Sequence, residues 1–183
     1  RIAGFLARLG LKVSRTSVQR FLRRHPPRPR KLARARKGPI IAKRPGHLWF
    51  IDFSRVGSLF RSVVVGAVLD GFSRKILALG VWRSEPSAAD ACALVRDAIR
   101  YHGEPVWLVS DHGAQFTSGR FTRFLSRRKI RRRFGAIGRK GSIAIIERTW
   151  ETAKKECLRG LLLWAPLRSI ERRVSLWARW YNQ

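Results

Sequence analysis

The spacing of apolar residues changes several times along the chain, and these changes predict where each element begins. From Leu48, the run LWFIDF and the Val-rich run RSVVVGAVL (Arg61–Leu69) are short and apolar, which is typical of strands. Asp70 and Gly71 form a turn signal before the apolar run KILALGVW (Lys75–Trp82), so these two runs predict a β-hairpin. We therefore expect three consecutive strands joined as an antiparallel meander.

Beyond this meander the apolar spacing alternates between helical and strand-like. The pattern predicts, in order, a helix over Ala88–Tyr101, the strand VWLV after Pro105, a helix over Ser118–Arg128, the strand Lys129–Phe134, a long helix from about Ile143 to Leu158 and a final helix from Pro166. The order β-β-β-α-β-α-β-α-α is typical of a mixed α/β fold, so that is the predicted class.

The residues that precede the first strand lack the apolar content of such a core. We divide the chain into a DNA-binding region at residues 1–24, a linker at residues 25–46 and a core at residues 47–183. The linker is rich in proline and arginine, a composition that favours an extended chain. No acidic residue precedes Asp52, so the first two segments form a cationic arm suited to a phosphate backbone.

Within the first segment, apolar positions at helical spacing are interrupted by Gly10, which predicts two short helices. Ser14 or Thr16 is expected to cap the second helix. That helix carries arginines that we expect to contact DNA: Arg20, Arg23 and Arg24. The pair predicts a partial helix-turn-helix, and a basic helical hairpin without base contacts is the alternative.

The charge of the chain narrows the choice of partner. Its 40 Lys and Arg outnumber 11 Asp and Glu, and the formal net charge of +29 favours nucleic acid. No apolar run of about 18 residues occurs, so we expect an intracellular, soluble protein without a membrane partner. Cys92 and Cys157 lack the spacing of a zinc site, and the absence of Met indicates a piece of a longer chain.

Three acidic residues stand in apolar surroundings, although acids are scarce in this chain. Asp52 lies within LWFIDF, Asp111 follows the strand VWLV, and Glu147 follows two isoleucines on the predicted long helix. An unpaired anion in such surroundings is costly, so a cation is expected nearby. Carboxylate oxygens suit Mg²⁺ or Mn²⁺, and two such ions about 4 Å apart promote phosphoryl displacement.

Five motifs surround these acids in order: W-x-x-D-x-S (Trp49–Ser54), LDGFSRK (Leu69–Lys75), SDHGAQF (Ser110–Phe116), GSIAIIERTWETAKKE (Gly141–Glu156) and WYN (Trp180–Asn182). Together they resemble the catalytic core of the DDE transposase and retroviral-type integrase superfamily, in particular its bacterial insertion-sequence branch. Thirty-five residues separate Asp111 from Glu147, which matches the D,D-35-E signature of that family. Ser54 stands where the bacterial branch usually has Thr, and Ile143 stands where many relatives carry Asn.

The resemblance implies a ribonuclease H-like fold, which is a mixed five-stranded sheet flanked by helices. It also implies that Asp52, Asp111 and Glu147 are the catalytic residues and the ligands of two Mg²⁺ or Mn²⁺ ions. The implied activity is cleavage of the 3′ ends of element DNA and strand transfer to target DNA, performed by a homo-oligomer. No small-molecule substrate is expected, and the implied location is the bacterial cytoplasm, in association with the nucleoid.

Other residues match positions that contact DNA in that family. They are Lys154, two helical turns beyond Glu147, with Lys155 and Arg148 beside it, Arg139 and Lys140 on a glycine-containing loop, and Gln115. For the two lysines the alternative is a solvated face that pairs with Glu151. His112 is a weaker candidate, and Asp70 is explained by turn chemistry.

Two alternative functions fit parts of this pattern. A relic of a mobile element, or a regulator derived from one, would bind DNA without catalysis, but such a protein has no need of three acids in apolar surroundings. A plain Mg²⁺-dependent nuclease of the same fold would cleave DNA without joining it. The basic arm and the helices appended to the core favour the transposase over the nuclease.

Overall fold

The computed structural model divides into two units, residues 1–38 and 39–183. The described residues are 14–24, 40–57, 62–135, 144–158 and 166–183. In the first unit, helix α1 (Arg15–Arg24) begins after Ser14, whose Oγ accepts a hydrogen bond from the Ser17 backbone N–H at 3.0 Å. The expected cap is confirmed. The helix predicted before Gly10 and most of the predicted linker lie outside the described residues.

Within the described residues, a mixed five-stranded sheet forms the centre of the second unit. Its strands are β1 (Leu48–Gly57), β2 (Ser62–Asp70), β3 (Ile76–Trp82), β4 (Trp107–Ser110) and β5 (Arg131–Phe134), in the spatial order β3-β2-β1-β4-β5. The β1–β2 and β2–β3 pairs are antiparallel, whereas the β1–β4 and β4–β5 pairs are parallel. The predicted meander and mixed sheet are confirmed. The left-handed backbone of Lys129, with a φ of 57°, places the start of β5 later than predicted.

The described helices of this unit are α2 (Ala88–His102), α3 (Ala114–Thr117), α4 (Gly119–Arg127), α5 (Ala144–Ala153) and α6 (Leu167–Tyr181). The short helix α3 was not predicted. It is separate from α4 because Ser118 is extended and its Oγ accepts a hydrogen bond from the Phe121 backbone N–H at 3.2 Å. The predicted long helix ends as an α-helix at Ala153 and continues as a π-helical turn, Lys154–Leu158. In the part of the chain described, no helix is long and apolar enough to cross a membrane.

Alternate residues of β1 face the two sides of the sheet, and each side has its own core. Leu48 and Phe50 pack with residues of α5 and α6. Trp49 and Ile51 pack with residues of α2, α3 and α4 on the other side. Asp52 continues the alternation of Leu48 and Phe50, so its side chain lies on the same side as α5. The sheet thus separates the α5–α6 layer from the α2–α4 layer.

Two polar side chains fix the hairpin of β2 and β3. Asp70 is 2% exposed, and its carboxylate accepts hydrogen bonds from three backbone N–H groups and one hydroxyl of the neighbouring turns. Its predicted role in the turn is confirmed. Asn182, just after α6, donates to the Ile76 carbonyl and accepts from the Ile76 N–H, both at 2.8 Å. The WYN motif therefore fastens the end of α6 to the first residue of β3.

Candidate active site

Parallel pairing of β1 and β4 brings two of the predicted carboxylates to the same place on the sheet. Phe50 pairs with Val109 in this register, and Asp52 and Asp111 each follow two residues later. Because the strands run in the same direction, both aspartates lie just beyond the last paired residues. The two-residue period of β1 places Asp52 on the same side of the sheet as Phe50, and Asp111 directly follows the last residue of β4.

The half-buried carboxylate of Asp52 occupies surroundings that are unfavourable for an anion. Burial, the negative charge of Asp111 and, more weakly, that of Glu147 raise the pKa of Asp52 from 3.8 to about 6. The indole Nε1 of Trp150 donates a hydrogen bond to Asp52 Oδ2 at 3.0 Å, which acts on the pKa in the opposite direction. The three predicted acids therefore share one electrostatic environment.

Asp111 is oriented by the backbone that follows it. Its Oδ1 accepts a hydrogen bond from the Gly113 N–H at 2.9 Å, at the start of α3. The amide of Gln115 folds back against Gly113 and occupies the space that a Cβ at position 113 would take. His112 is exposed, and its ring stacks on Phe134 of β5 with centroids 4.2 Å apart. Of the predicted candidates, His112 thus directly follows Asp111, and Gln115 lies in α3, which begins three residues after Asp111.

Glu147 lies in the first turn of α5 and is exposed. Two neighbouring residues pack this turn of α5 against the sheet, since Ile146 is 1% exposed and Trp150 is 4% exposed. Residues three apart on a helix lie close to one face, so the bond from Trp150 to Asp52 fixes the rotation of the turn that carries Glu147. The apolar side of α5 and the indole donor together locate the third acid.

The three carboxylates supply the oxygen ligands that Mg²⁺ and Mn²⁺ prefer, but they do not form a closed ligand set. Among the described residues, no group of three or more His, Cys, Asp or Glu side chains is placed to hold a metal ion. The repulsion that contributes to the raised pKa of Asp52 is what a bound cation would relieve. The chemistry of the donors therefore fits a divalent cation, with Asp52 and Asp111 as the neighbouring pair.

The predicted DNA contacts beside Glu147 are accessible. Arg148 is exposed on α5, and Lys154 and Lys155 are exposed on the π-helical turn. The α-helical spacing predicted from Glu147 to Lys154 holds as far as Ala153, and Lys154 is the first residue of the π-helical turn. Within the described residues, neither lysine forms an ion pair, so the alternative pairing with the acid at position 151 is not observed.

The remaining predicted contacts lie elsewhere. Arg20 is exposed on α1, and Arg23 and Arg24 belong to the end of the same helix, in the first unit. Arg139 and Lys140 fall outside the described residues. The sequence therefore supplies candidates in both units, and the structure describes the surroundings of those in the second unit most fully.

Trp150 is the site residue that sequence analysis did not single out. Its ring belongs to the core of the α5 side, and its Nε1 is the side-chain donor to Asp52. A tryptophan placed three residues after Glu147 was the available signal, because buried indoles usually find a hydrogen-bond acceptor. The strand register and the rotation of α5 were both needed to identify that acceptor as Asp52.

Similarity to known proteins follows the same residues. The family model of the integrase core domain matches residues 42–140, a stretch that includes Asp52 and Asp111. A protein assigned as the transposase for insertion sequence element IS986/IS6110 of Mycobacterium tuberculosis (strain H37Rv) is 27% identical over 169 residues. The alignment covers 85% of this chain and 57% of that relative, so the chain spans little more than half of its length. A Mycobacterium bovis protein of the same description matches to the same extent.

Solved structures have the same fold. The HTLV-2 integrase catalytic core domain in complex with magnesium superposes with a TM-score of 0.56 at 19% identity, covering 75% of this chain and 86% of that one. A chain of the simian T-cell lymphotropic virus intasome in complex with a PP2A regulatory subunit superposes with a TM-score of 0.58 at 16% identity, covering 75% and 50%. The predicted ribonuclease H-like architecture is thereby confirmed. On the family match and the order of the sheet, this chain belongs to the integrase core domain family.

Proposed function

We propose that this chain contains the catalytic core of a DNA transposase or integrase, which cleaves the 3′ ends of element DNA and joins them to target DNA. The observation that carries the proposal is the placement of Asp52 beside Asp111 by the β1–β4 register, with Glu147 coupled electrostatically to Asp52. Family membership and the similarity to a mycobacterial transposase support this chemistry. The proposal concerns the core, because the chain spans 57% of that relative.

Asp52, Asp111 and Glu147 are the residues that would hold Mg²⁺ or Mn²⁺ in this protein. When bound, two such ions would activate the attacking oxygen and stabilise charge on the leaving oxygen. Support for a divalent ion comes from the HTLV-2 integrase core, which has the same fold and was solved in complex with magnesium. With a pKa of about 6, Asp52 is about nine-tenths ionised at pH 7 and thus available as a ligand.

The chain's own residues mainly position these carboxylates. Trp150 holds one oxygen of Asp52, and the Gly113 N–H holds one oxygen of Asp111, so each aspartate has a fixed orientation before DNA binds. No protein nucleophile is needed, since water attacks the first phosphodiester and the freed 3′-hydroxyl attacks the target phosphate. Positioned acids without a covalent intermediate suit such an in-line displacement.

DNA is the proposed partner, held by basic and polar side chains of both units. The proposed contacts are Arg148, Lys154, Lys155, Gln115, Arg139 and Lys140 in the core, and Arg20, Arg23 and Arg24 in the first unit. The charges of the lysines and arginines would neutralise backbone phosphates and set the position of the duplex without reading its sequence. We propose that the protein acts as a homo-oligomer on DNA, because two element ends have to be joined to one target.

A joining assay tests this proposal. A labelled duplex carrying the element end is incubated with supercoiled plasmid and Mg²⁺ or Mn²⁺, using the unmodified chain, Glu147→Gln and the control Glu151→Gln. Glu151 is an exposed acid on the same helix, so its variant matches the change in charge. We expect joined product from the unmodified chain and from Glu151→Gln, and none from Glu147→Gln.

The other outcomes identify the alternative functions. Nicked plasmid without joined product, lost only in Glu147→Gln, would identify a metal-dependent nuclease. Binding of the duplex without any metal-dependent product would identify a DNA-binding relic or regulator and would refute the catalytic proposal. Equal losses in both variants would mean that the charge of α5, rather than a metal ligand at Glu147, is required.

A further inference from the structure

A second cationic region lies on the side of the sheet opposite α5. An open groove of about 760 Å³ runs between α2 and α4. Its walls carry one carboxylate, Glu104, and a set of cations, namely Arg96, Arg120, Arg123, Arg127, Arg128 and Lys129. We call this region the arginine groove. The helices beside it pack on the sheet through Trp49 and Ile51, whereas Asp52 lies on the other side.

Three of these arginines form a row on α4. Arg120, Arg123 and Arg127 are spaced by three and four residues, so they lie on one face of the helix, and all three are exposed. Like charges at this spacing destabilise a helix. Within the described residues, none of the three forms an ion pair that would offset the repulsion. The row therefore favours an anionic partner from outside the chain.

Contacts between side chains hold the inner wall of the groove in place. The Phe124 ring has the guanidinium of Arg96 over it at 5.8 Å and that of Arg128 at 5.2 Å, so α2 and the residue that follows α4 each contribute a cation to one ring. Arg128 also pairs with Glu104 at 2.8 Å, which fixes it at the end of the groove. Burial raises the pKa of the Cys92 thiol while Arg120 and Arg96 act against that shift, which places both cations near this side chain.

We propose that the arginine groove binds the phosphate backbone of a duplex DNA segment separate from the one at Asp52 and Asp111. The row from Arg120 to Arg127 is about 10 Å long and carries three guanidinium groups, so it offers one cation to each of about three backbone phosphates. Contacts between these arginines and phosphates do not depend on the bases, so the groove is suited to binding DNA of any sequence. The inference depends on the proposed function in one respect, the choice of DNA as the polyanion that binds in the groove.

Salt-dependent binding tests the arginine groove. The groove variant Arg120→Gln/Arg123→Gln/Arg127→Gln removes the row but keeps Arg96, Arg128 and the Phe124 contacts. The control variant removes the same charge from exposed positions on α6 (Arg168→Gln/Arg172→Gln/Arg179→Gln). Affinity for a mixed-sequence 30-base-pair duplex is measured over a series of salt concentrations in EDTA, so that no cleavage occurs, and circular dichroism checks the fold of each variant.

Each lost phosphate contact lowers the slope of log affinity against log salt by about 0.9, so we expect the groove variant to lower it by ~2.7. The control variant should lower it by less than about 1. Equal reductions in the two variants would show diffuse attraction to a cationic protein and overturn the proposal.

Failure of this proposal and failure of the proposed function give different results. Loss of joining in Glu147→Gln tests the acids and needs metal, whereas the slope measured in EDTA depends on neither. A groove variant with an unchanged slope that still joins DNA would refute the arginine groove alone. A chain that never joins DNA, yet shows the expected slope change, would leave the groove in place and refute the catalytic proposal.

Discussion

Replacement of Asp52 by asparagine should stabilise the metal-free protein and abolish its activity. The carboxylate of Asp52 has a pKa of about 6 in the folded chain against 3.8 as the ordinary value, because burial and neighbouring acids disfavour its charge. The folded state therefore binds this proton more tightly than the unfolded state does. The stability that this proton contributes is fully present below about pH 4 and is lost as the pH rises through 6.

The expected size follows from the same two values. One pKa unit corresponds to about 1.36 kcal/mol, so the difference between 3.8 and 6 amounts to about 3 kcal/mol, or 2–3 kcal/mol after allowing for partial exposure. The asparagine side chain would carry no charge to bury, and its amide oxygen would still accept the bond from Trp150. We expect Asp52→Asn to raise the free energy of unfolding by about 2–3 kcal/mol at pH 7.5 and by less than ~1 kcal/mol at pH 4.

Urea denaturation in EDTA at the two pH values measures this difference. Asp97→Asn is the matched control, because Asp97 is an exposed acid on α2, and it should change stability little at either pH. Addition of Mg²⁺ should stabilise the unmodified chain more than Asp52→Asn, since the variant lacks a proposed ligand. If Asp52→Asn is destabilised at pH 7.5, or is no more stable than the Asp97 control, the argument that folding disfavours the charge of Asp52 is refuted.

Two further variants test other parts of the site. Trp150→Phe removes a hydrogen bond to a charged group, which is worth about 1.5–3 kcal/mol. The pKa of Asp52 should therefore rise, and the acidic limb of the rate–pH profile should move up by about 1–2 pH units. A limb that does not move would contradict this role for the indole. Asp70→Ala removes the acceptor of several buried hydrogen bonds, so urea denaturation should show a free energy of unfolding lower by about 2–4 kcal/mol. The joining rate should stay unchanged under conditions in which the variant is folded. Loss of joining by a folded variant would show instead that Asp70 takes part in the chemistry.

The sheet and the first two acids could be predicted because their signals are local or repeat along the chain. Apolar runs and the Asp70–Gly71 turn located the meander, and the structure places β1, β2 and β3 there. The period of two along β1 fixes the side on which Asp52 lies once the register is known. Asp111 was indicated by the apolar strand before it, and Glu147 by the two isoleucines before it and the motif around it, so neither needed knowledge of packing.

Features that depend on how helices rotate and pack could not be predicted in this way. The bond from Trp150 to Asp52 requires the angle at which α5 lies on the sheet, which no local pattern encodes. The π-helical turn after Ala153 changes the direction in which the residues that follow leave the helix axis, whereas a continuous α-helix was predicted. The arginine groove forms only when α2 and α4 pack together, because Arg96 and the row on α4 are far apart in sequence.

The parallel pairing of β1 with β4 has a consequence for the cell that makes this protein. Asp52 and Asp111 become neighbours only after a long stretch of chain, containing β2, β3 and α2, has closed between them. Such distant parallel contacts form slowly, and β1 leaves the ribosome well before β4 does. A nascent, truncated or unfolded copy therefore holds Asp52 and Asp111 without bringing them together, so the proposed metal site exists only once the core has folded.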